Sequence, residues 1–181
     1  MIETIVVSDL HICRDDFCVD EFLEFIENNP SKKIILNGDI FDQVAFFKDK
    51  GRLYREKHKD VVKKIKKILD WRKTKIYYLI GNHDFLAFLL VPFGFIWRTK
   101  FRKRITINNV MIEHGDWISL YLRIKGIERT NFQENCIKFA KLKNKRLVVG
   151  HSHHPEKMNS EWVYDEGDWV GNNTHLVLEE W

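Results

Sequence analysis

Apolar residues occur along the chain in two kinds of pattern, and each pattern predicts one kind of secondary structure. Short runs rich in β-branched residues predict buried strands, whereas apolar residues that recur every three or four positions predict amphipathic helices. The predicted strands are Ile2–Val7, Lys33–Leu36, Ile76–Ile80, Val110–Glu113 and Arg146–Val149. The apolar faces of the predicted helices consist of Phe22, Phe25 and Ile26, and of Val61, Val62, Ile65, Ile68 and Leu69. Strands and helices therefore alternate through the first half of the chain, which is typical of an α/β fold.

The second half of the chain is predicted to add antiparallel strands. Ile105 and Ile107 alternate with polar neighbours, Asn108–Asn109 supplies a tight turn, and the strand Val110–Glu113 follows, which indicates a hairpin. Further segments with strand character are Trp162–Tyr164, Trp169–Val170 and His175–Leu178. We therefore expect a mixed sheet that continues into antiparallel strands.

Length and composition favour one domain over residues 1–181. The 44% of hydrophobic residues suffices for a sizeable core, and neither an internal repeat nor a low-complexity linker divides the sequence. The chain begins with a predicted strand and an acidic residue, so we expect no secretory signal peptide. The apolar run Phe85–Trp97 is interrupted by Pro92 and Gly94 and is shorter than the ~20 residues of a membrane span, so we expect no transmembrane segment.

The charge distribution and the cysteine content of the chain indicate its cellular location and its class of binding partner. Cys13, Cys18 and Cys136 make an odd number without CxxC spacing, which favours a reducing, cytoplasmic location. The net charge of +4 is unevenly distributed, because Lys48–Lys75 carries 13 basic and 4 acidic residues and Arg98–Arg104 adds five basic ones. A polyanionic partner would meet these basic segments, while the acidic remainder would hold cations.

Candidate chemistry lies at the carboxyl ends of the five main predicted strands, each of which ends in a segment rich in Asp, His or Asn. Loops at the carboxyl ends of strands in layered α/β folds converge on one edge of the sheet, where ligands bind. Five loops would thus share one site. The segments are SDLH at 8–11, NGDIFD at 37–42, GNHD at 81–84, EHGD at 113–116 and GHSHH at 150–154.

The residue types in these loops suit divalent metal ions. Imidazole nitrogens with carboxylate or amide oxygens, and no thiolate, favour Mn, Fe, Zn or Ni over a structural zinc cage. Past a strand end, residues two apart point to the same side, so Asp9 with His11, and His151 with His153, can each clasp one ion. Each motif alone has a structural alternative: a helix cap at Asp9, turns at 39–42 and 81–82, or exposed loop histidines at 153–154. Five such segments at five strand ends favour the shared site.

At this point the sequence strongly resembles the calcineurin-like metallophosphoesterases, whose ordered motifs D-x-H, G-D-x-x-D, G-N-H-D/E, H and G-H-x-H are matched between residues 9 and 153. The resemblance implies two packed mixed β-sheets flanked by helices, in a four-layer sandwich. It implies that Asp9, His11 and His153 bind one metal, that Asn82, His114 and His151 bind a second, that Asp39 bridges both, and that His83 is catalytic.

The resemblance also implies a mechanism. Two cations ~3.5–4 Å apart, with Mn expected, would polarise the phosphoryl group and lower the pKa of a bridging water, so that hydroxide attacks phosphorus. His83 would protonate the leaving oxygen or stabilise the developing negative charge. Around the ligands, Asp42, Asp84 and Asp116 would orient histidines and waters, and Arg14 would contact a substrate phosphate.

The substrate is less well defined by the sequence. The phrase GNHDF and the segment from Gly167 to Leu178 are similar to the UDP-2,3-diacylglucosamine pyrophosphohydrolase branch of the family, which cuts a pyrophosphate in lipid A synthesis. Two features depart from that branch: it has arginine where this chain has His83, and its lid insertion is longer than the segment between His114 and His151.

Three hypotheses follow for the function. The first is a dinuclear phosphoesterase that acts on a phosphomonoester, phosphodiester or pyrophosphate. In a lipid-linked version the aromatic run at 85–97 would hold an acyl chain or rest on a membrane surface, although a core role for such a run is the alternative. The second is a nuclease that uses basic segments 48–75 and 98–104 to bind nucleic acid. The alternative for the lysine-rich face of the predicted helix at 57–73 is an ordinary solvated helix surface. The third is a non-catalytic metal-binding interaction module.

Overall fold

The residues that the structure describes form two β-sheets, and the first of these has five strands, four of them parallel. A computed structural model describes residues 1–84, 99–128, 130–154, 160–170 and 173–178 of the chain. The strand order of this sheet is β4-β3-β2-β1-β9, and only β9 runs antiparallel to its neighbour, β1. These strands are β1 (Ile2–Val7), β2 (Ser31–Asn37), β3 (Lys75–Leu79), β4 (Thr99–Arg102) and β9 (Leu176–Leu178).

The second sheet has four strands in the order β5-β6-β7-β8. They are β5 (Arg104–Ile107), β6 (Val110–Glu113), β7 (Arg146–Val149) and β8 (Val163–Asp165). The first pair is an antiparallel hairpin, whereas β6, β7 and β8 are parallel. Asn108 and Asn109 have φ angles of 46° and 66°, which is the left-handed backbone that a tight hairpin turn requires and that asparagine tolerates.

Helices cover the outer face of each sheet. The α-helices are α1 (Val19–Asn28), α2 (Gln43–Lys48), α3 (Lys59–Trp71), α4 (Ile118–Ile124) and α5 (Phe132–Lys143). A π-helical turn, Tyr54–His58, leads directly into α3, and a single 3₁₀ turn spans Asn82–Asp84. As the pattern predicts, α1 buries Phe22, Phe25 and Ile26, and α3 buries Val61, Val62, Ile65 and Leu69, while Ile68 is half-buried.

Side chains along each strand point alternately to its two faces, and this divides the apolar core into three layers. In β1, Ile5 and Val7 face the cluster under α1 and α3, whereas Val6 faces the second sheet. In β7, Val148 faces the first sheet, while Leu147 and Val149 pack under α4 and α5. Because successive strand side chains point to opposite faces, each sheet is buried on both sides. The order is helices, sheet, sheet, helices, which confirms the four-layer sandwich.

The structure also corrects the predicted course of the last strands. The strand β8 is parallel to β7, not antiparallel, and only β9 supplies the expected antiparallel pairing, in the other sheet. Trp169–Val170 is not a strand, because its backbone is used elsewhere: Trp169 N–H donates to Asp9 O at 3.2 Å, and Val170 N–H donates to Asp168 Oδ1 at 3.0 Å. The apolar run 85–97 lies outside the described residues. Among the residues that are described, none of the helices is both long enough and apolar enough to cross a membrane.

Candidate metal centre

Three predicted ligands converge at one position between the two sheets. Asp9 and His11 follow β1, and His153 follows β7. Asp9 Oδ1 lies 3.7 Å from His11 Nε2 and 3.2 Å from His153 Nε2. One donor atom from each of the three side chains lies within 4.8 Å of the other two, a spacing that one metal ion can bridge. This triad is the first metal site that the sequence predicts.

A second triad consists of Asp39, His114 and His151, whose donor atoms also lie within 4.8 Å of one another. Asp39 follows β2, while His114 and His151 follow β6 and β7. Asp39 Oδ2 lies 3.2 Å from His114 Nε2 and 4.0 Å from His11 Nε2 of the first triad. Asp39 therefore lies between the two triads, as a bridging ligand must.

Asn82, the remaining predicted ligand, lies on the 3₁₀ turn beside the second triad and is exposed. The residue before it, Gly81, is packed so closely against the site that a Cβ there would overlap the Asp39 carboxylate and lie 2.9 Å from His114 Cδ2. Only glycine permits this approach of the backbone. The 3₁₀ turn therefore begins one residue after a backbone position that touches Asp39 and His114 of the second triad.

The outward ring nitrogen of three predicted histidine ligands is held by an acceptor. His11 Nδ1 lies 3.2 Å from Asp42 Oδ2, His114 Nδ1 lies 2.8 Å from the backbone carbonyl oxygen of Asn37, and His153 Nδ1 lies 3.4 Å from Asp168 Oδ2. A carbonyl oxygen can only accept, so Nδ1 of His114 must carry a proton. In the neutral ring Nε2 then has a free lone pair, the form in which histidine binds metal.

Three side-chain atoms that face the centre of the site make no hydrogen bond among the described residues. They are Asp9 Oδ1, His11 Nε2 and His114 Nε2, and all three are buried. Buried polar atoms without a partner cost free energy, and a cation between them would remove that cost. His114 Nε2 lies 3.2 Å from Asp39 Oδ2, and once the ring is neutral both atoms can direct lone pairs at a shared ion. The residues present therefore fit two divalent ions.

Backbone strain is concentrated in the same loops. Five of the predicted ligands, none of them glycine, have positive φ angles between 45° and 71°. Such conformations cost on the order of 1–3 kcal/mol each and persist where the surrounding structure enforces them, often at functional sites. The five are Asp9, His11, Asp39, His151 and His153.

Electrostatics couple the carboxylates to the imidazoles. Burial opposes the charged form of His11, yet the carboxylates of Asp42 and Asp9, at 3.2 Å from Nδ1 and 3.7 Å from Nε2, raise its pKa to about 9. Burial likewise opposes protonation of His114, but the nearby charge of Asp9 and its contact with Asp39 raise its pKa to about 10. Despite its burial, Asp9 has a pKa well below the usual range because of these histidines. In the metal-free protein the rings of His11 and His114 are therefore protonated, and their positive charge lies where the metal cations would bind.

His83, the predicted catalytic residue, lies beside the first triad. Its ring centroid is 4.8 Å from that of His11, and its Nδ1 is 3.3 Å from Asp42 Oδ2. About 32% of the side chain is exposed, although Nδ1 is buried. Its backbone N–H donates to Asp39 Oδ1 at 2.7 Å. The ring is therefore fixed at the edge of the centre and open to a ligand.

Asp84 and Asp116, the other acids predicted to orient histidines and waters, differ in burial and in contacts. Asp84 is fully buried. It accepts hydrogen bonds from the N–H groups of Phe41 and Gly81, at 2.9 and 3.2 Å, and from Tyr78 Oη, and so connects two loops of the site. Its hydrogen-bond partners among the described residues are therefore not the histidines that were predicted. Burial and the charge of Asp39 raise the pKa of Asp84 to about 6. Asp116 is half-buried. Burial raises its pKa, and the nearby charge of His114 partly opposes this increase.

Arg14, the expected phosphate contact, is engaged by Asp16. Its Nε and Nη2 donate to the two carboxylate oxygens of that neighbour. This fork uses the bidentate geometry with which arginine binds a phosphate. A substrate phosphate at Arg14 would therefore have to compete with Asp16 or use the remaining Nη1.

Sequence reasoning missed Asp168 and Asn37, which contact Nδ1 of the predicted ligands His153 and His114. Asp168 belongs to the segment DEGD at 165–168, which follows the strand β8 in the same way that the five recognised segments follow theirs. The polar strand end was thus a usable signal. Asn37 acts through its backbone carbonyl, for which a sequence carries no signal.

Comparisons with known proteins identify the family and the fold. A family model described as calcineurin-like phosphoesterase matches residues 2–178. No curated protein sequence matches significantly. Among solved structures, a single mutant of Vps29 from Entamoeba histolytica aligns with a TM-score of 0.50 and 14% identity, over 93% of this chain and 75% of that one; at this identity it shows the fold alone.

Two further solved structures match with lower scores. Nuclease MPE from Pseudomonas putida aligns with a TM-score of 0.47 and 14% identity, over 83% of this chain, which spans 61% of the length of that nuclease. TT1561 from Thermus thermophilus aligns with a TM-score of 0.45 and 12% identity, over 97% of this chain and 98% of that one.

Proposed function

This chain belongs to the calcineurin-like phosphoesterase family, and we propose that it hydrolyses a phosphomonoester, phosphodiester or pyrophosphate at a dinuclear metal centre, with Mn as the expected metal. The observation that carries the proposal is the pair of adjacent triads joined through Asp39. Three of their buried inward atoms, Asp9 Oδ1, His11 Nε2 and His114 Nε2, make no hydrogen bond among the described residues. Within the described residues no disulfide joins Cys13, Cys18 or Cys136, which agrees with the reducing, cytoplasmic setting that we infer.

Each ion would have its own set of ligands. Asp9, His11 and His153 would hold one, Asn82, His114 and His151 would hold the other, and Asp39 would bridge them. Bound there, two divalent ions would supply Lewis acidity for the phosphoryl group and a lowered pKa for coordinated water. The imidazole and carboxylate donor set agrees with Mn, Fe, Zn or Ni.

Residues around the metal centre would orient the ligand histidines and transfer a proton to the leaving group. The acceptors Asp42, Asn37 and Asp168 fix the ring nitrogens so that Nε2 of each partner histidine points inward. His83 lies beside the first triad with about 32% of its side chain exposed, and its Nε2 would donate a proton to the oxygen of the leaving group. With Nδ1 close to Asp42, the positive charge of a protonated His83 faces a carboxylate.

The test is hydrolysis of p-nitrophenyl phosphate and bis-p-nitrophenyl phosphate by protein that has been stripped of metal and reloaded with Mn. We expect metal-dependent turnover that Asp39→Asn reduces by about 100-fold or more, since it removes a ligand and not merely an orienting group. His83→Ala should lower kcat by about 10²–10⁴ while Mn still binds. The preference between the two esters assigns mono- or diesterase activity.

Asp60→Asn is the matched control, because Asp60 is an exposed acid on α3 that pairs only with surface Lys63 among the described residues. It should retain full turnover. Bound Mn without turnover of either ester would contradict the enzymatic proposal and support the non-catalytic binding module.

A nuclease is the second candidate, and the position of the basic segment favours it. Lys57 lies 3.3 Å from Asp15, and His58 Nδ1 accepts a hydrogen bond from Cys13 N–H at 2.9 Å, so this segment contacts the loop that follows His11. Nucleic-acid binding through such residues predicts an affinity that falls steeply with salt, because phosphate contacts release counterions. Binding of an oligonucleotide that does not change with salt would rule this candidate out.

A further inference from the structure

Glu166 is a buried acid that belongs to neither triad. It follows β8 directly, and only 1% of it is exposed. Burial raises the pKa of its carboxyl group well above the usual range, and the hydrogen bond from Asn37 only partly opposes this rise. The neutral form is therefore favoured. A polar group in such surroundings is expected to make specific contacts, because burial without them costs free energy.

Two hydrogen bonds connect Glu166 to strands that lead to ligands of the second triad. Its backbone N–H donates to the carbonyl oxygen of Val149, the last residue of β7, at 2.9 Å. Its Oε1 accepts a hydrogen bond from Nδ2 of Asn37, the last residue of β2, at 2.8 Å. The ligands His151 and Asp39 each follow two residues later.

Asn37 extends this connection to β6, the third strand that leads to the second triad. Its Nδ2 also donates to the carbonyl oxygen of Glu113, the last residue of β6, at 3.3 Å. Its own carbonyl oxygen lies 2.8 Å from His114 Nδ1. The side chain of Asn37 thus spans from the first sheet to the second at the point where Asp39 and His114 leave their strands.

Glu166 is the closer of the two acceptors of the Asn37 amide. The bond of 2.8 Å to Glu166 lies in the usual range for N–H···O hydrogen bonds, whereas the contact of 3.3 Å with Glu113 O lies just beyond it. Asn37 is fully buried. Without the Glu166 acceptor, its amide would have no short hydrogen bond to fix its orientation between the sheets.

The side chain of Glu166 is connected less closely to the first triad. Ser8, which precedes the ligand Asp9, lowers the pKa of Glu166 less than Asn37 does. The Ser8 hydroxyl donates to the carbonyl oxygen of Gly167 at 3.0 Å. A change at the Glu166 side chain should therefore act on the second triad first.

We propose that Glu166 is a positioning residue for the second metal ion, which acts through Asn37 to fix the spacing between β2 and β6. This spacing sets the separation of Asp39 and His114, whose Oδ2 and Nε2 atoms lie 3.2 Å apart. The proposal rests on the dinuclear centre of the proposed function. It assigns to Glu166 no contact with metal or substrate.

The experiment measures Mn affinity by isothermal titration calorimetry in two backgrounds, each of which keeps one triad intact. His153→Ala keeps the second triad, and His151→Ala keeps the first. Glu166→Met is introduced into each background, because it removes the acceptor but keeps an unbranched side chain. The matched control is Glu166→Gln, which keeps an oxygen for Asn37. Its NH₂ group replaces Oε2, an atom without a hydrogen bond among the described residues.

We expect Glu166→Met to lower the Mn affinity of the second triad by about tenfold, the lower end of the range for groups that orient metal ligands. The affinity of the first triad should not change, and Glu166→Gln should bind Mn at the second triad as Glu166 does. Equal losses at both triads, or no loss at the second, overturn the proposal. A loss in Glu166→Gln as large as that in Glu166→Met overturns it as well.

Asn37→Leu tests the same hydrogen bond from the donor side, and it decides the question if Glu166→Met does not fold. It should also weaken Mn binding at the second triad and not at the first. Where both variants fold, Glu166→Met should have no further effect in the Asn37→Leu background, because one hydrogen bond is removed in either case. Additive losses would mean that Glu166 acts by another route.

Turnover of p-nitrophenyl phosphate by the Mn-loaded wild type tests the proposed function separately. Two bound Mn ions without turnover would contradict hydrolysis, while the comparison between triads would still decide the role of Glu166. Turnover by the wild type, together with unchanged Mn affinity in Glu166→Met, would contradict the positioning role alone.

Discussion

At the scale of single residues, Asp42 shows how one carboxylate serves both the fold and the site. Its Oδ1 accepts the Ala45 N–H and caps α2, while its Oδ2 lies 3.2 Å from His11 Nδ1 and 3.3 Å from His83 Nδ1. The sequence allowed either a turn residue or a group that orients histidines, and the structure combines the two. The cap and the histidine contact use different oxygens, so mutagenesis can separate them.

Asp42→Asn should weaken metal binding while leaving stability nearly unchanged. Asparagine caps a helix as well as aspartate does, but its NH₂ group would replace the oxygen that faces His11. The ring would then lose the acceptor that fixes its tautomer, and we expect Mn affinity at the first triad to fall by about 10–100-fold. Calorimetric titration with Mn and a thermal melt measure the two effects. If Asp42→Asn binds Mn as the wild type does, His11 needs no orientation by this residue.

Metal binding near neutral pH should release protons from the histidines. Although burial opposes it, contacts with Asp42 and Asp9 raise the pKa of His11 to about 9, and the charge of Asp9 with the contact to Asp39 raises that of His114 to about 10. Both pKa values lie above neutrality, so these rings are protonated in the metal-free protein and an ion must displace the protons. Mn affinity should therefore rise with pH through neutrality. Titrations in buffers of different ionisation enthalpy would give identical heats if no proton were released.

At the scale of elements, the π-helical turn Tyr54–His58 holds the loop that carries a ligand. His58 is buried, and its Nδ1 accepts the N–H of Cys13, whose φ angle is 97°, two residues after His11. Burial and then the charge of Lys57 lower the pKa of His58, which keeps the ring neutral and able to accept. Single π-turns often occur at functional sites. This one places a histidine acceptor against the strained loop.

His58→Phe should destabilise the fold and weaken Mn binding together. Phenylalanine keeps the ring volume and the contact with Phe17, but leaves the Cys13 N–H buried without an acceptor, at a cost of about 1–3 kcal/mol. His58→Asn offers an oxygen near the position of Nδ1 and should recover part of the metal affinity. Urea unfolding and Mn titration of both variants provide the measurement. Equal Mn affinity in His58→Phe and wild type would show that the loop does not depend on this bond.

The sequence predicted most elements but not how the strands divide between sheets. The five main strands were predictable because β1, β2 and their counterparts are buried on both faces and therefore read as continuous apolar runs. The hairpin was predictable from Asn108–Asn109. The pairing of β9 with β1, and of β8 with β7, depends on contacts between residues far apart in the chain, which a local pattern does not encode.

The candidate site was predictable to a similar extent. Ligand types at strand ends are visible in the sequence, and Asp9, His11 and His153 do converge. The acceptor for His114 is a backbone carbonyl, and the pairing of Arg14 with Asp16 depends on side-chain orientation, so neither could be predicted from residue types. The π-turn at His58 was hidden in a segment whose spacing indicates an ordinary helix.

At the scale of the whole molecule, both triads join the two sheets. Asp9 and His11 follow a strand of the first sheet and His153 one of the second; likewise Asp39 follows the first sheet, while His114 and His151 follow the second. The interior between the sheets is apolar, with Val6 and Ile112 among its residues, whereas this edge is polar and strained. Each ion would therefore link the sheets where apolar packing does not.

Removal of metal should lower the melting temperature, because an ion that binds only the folded chain stabilises it by mass action. At a free Mn concentration of about 100 times Kd, each ion contributes about 2.7 kcal/mol. For a chain of 181 residues this corresponds to a shift of roughly 5–10 °C per ion. Scanning calorimetry of metal-free and Mn-loaded protein measures the shift. The combined Asp9→Asn and Asp39→Asn variant should show none, since it loses one carboxylate ligand from each triad. If Mn raised the melting temperature of that variant as much as that of the wild type, the stabilising ions would lie elsewhere, and the two sheets would not be joined by metal at this edge.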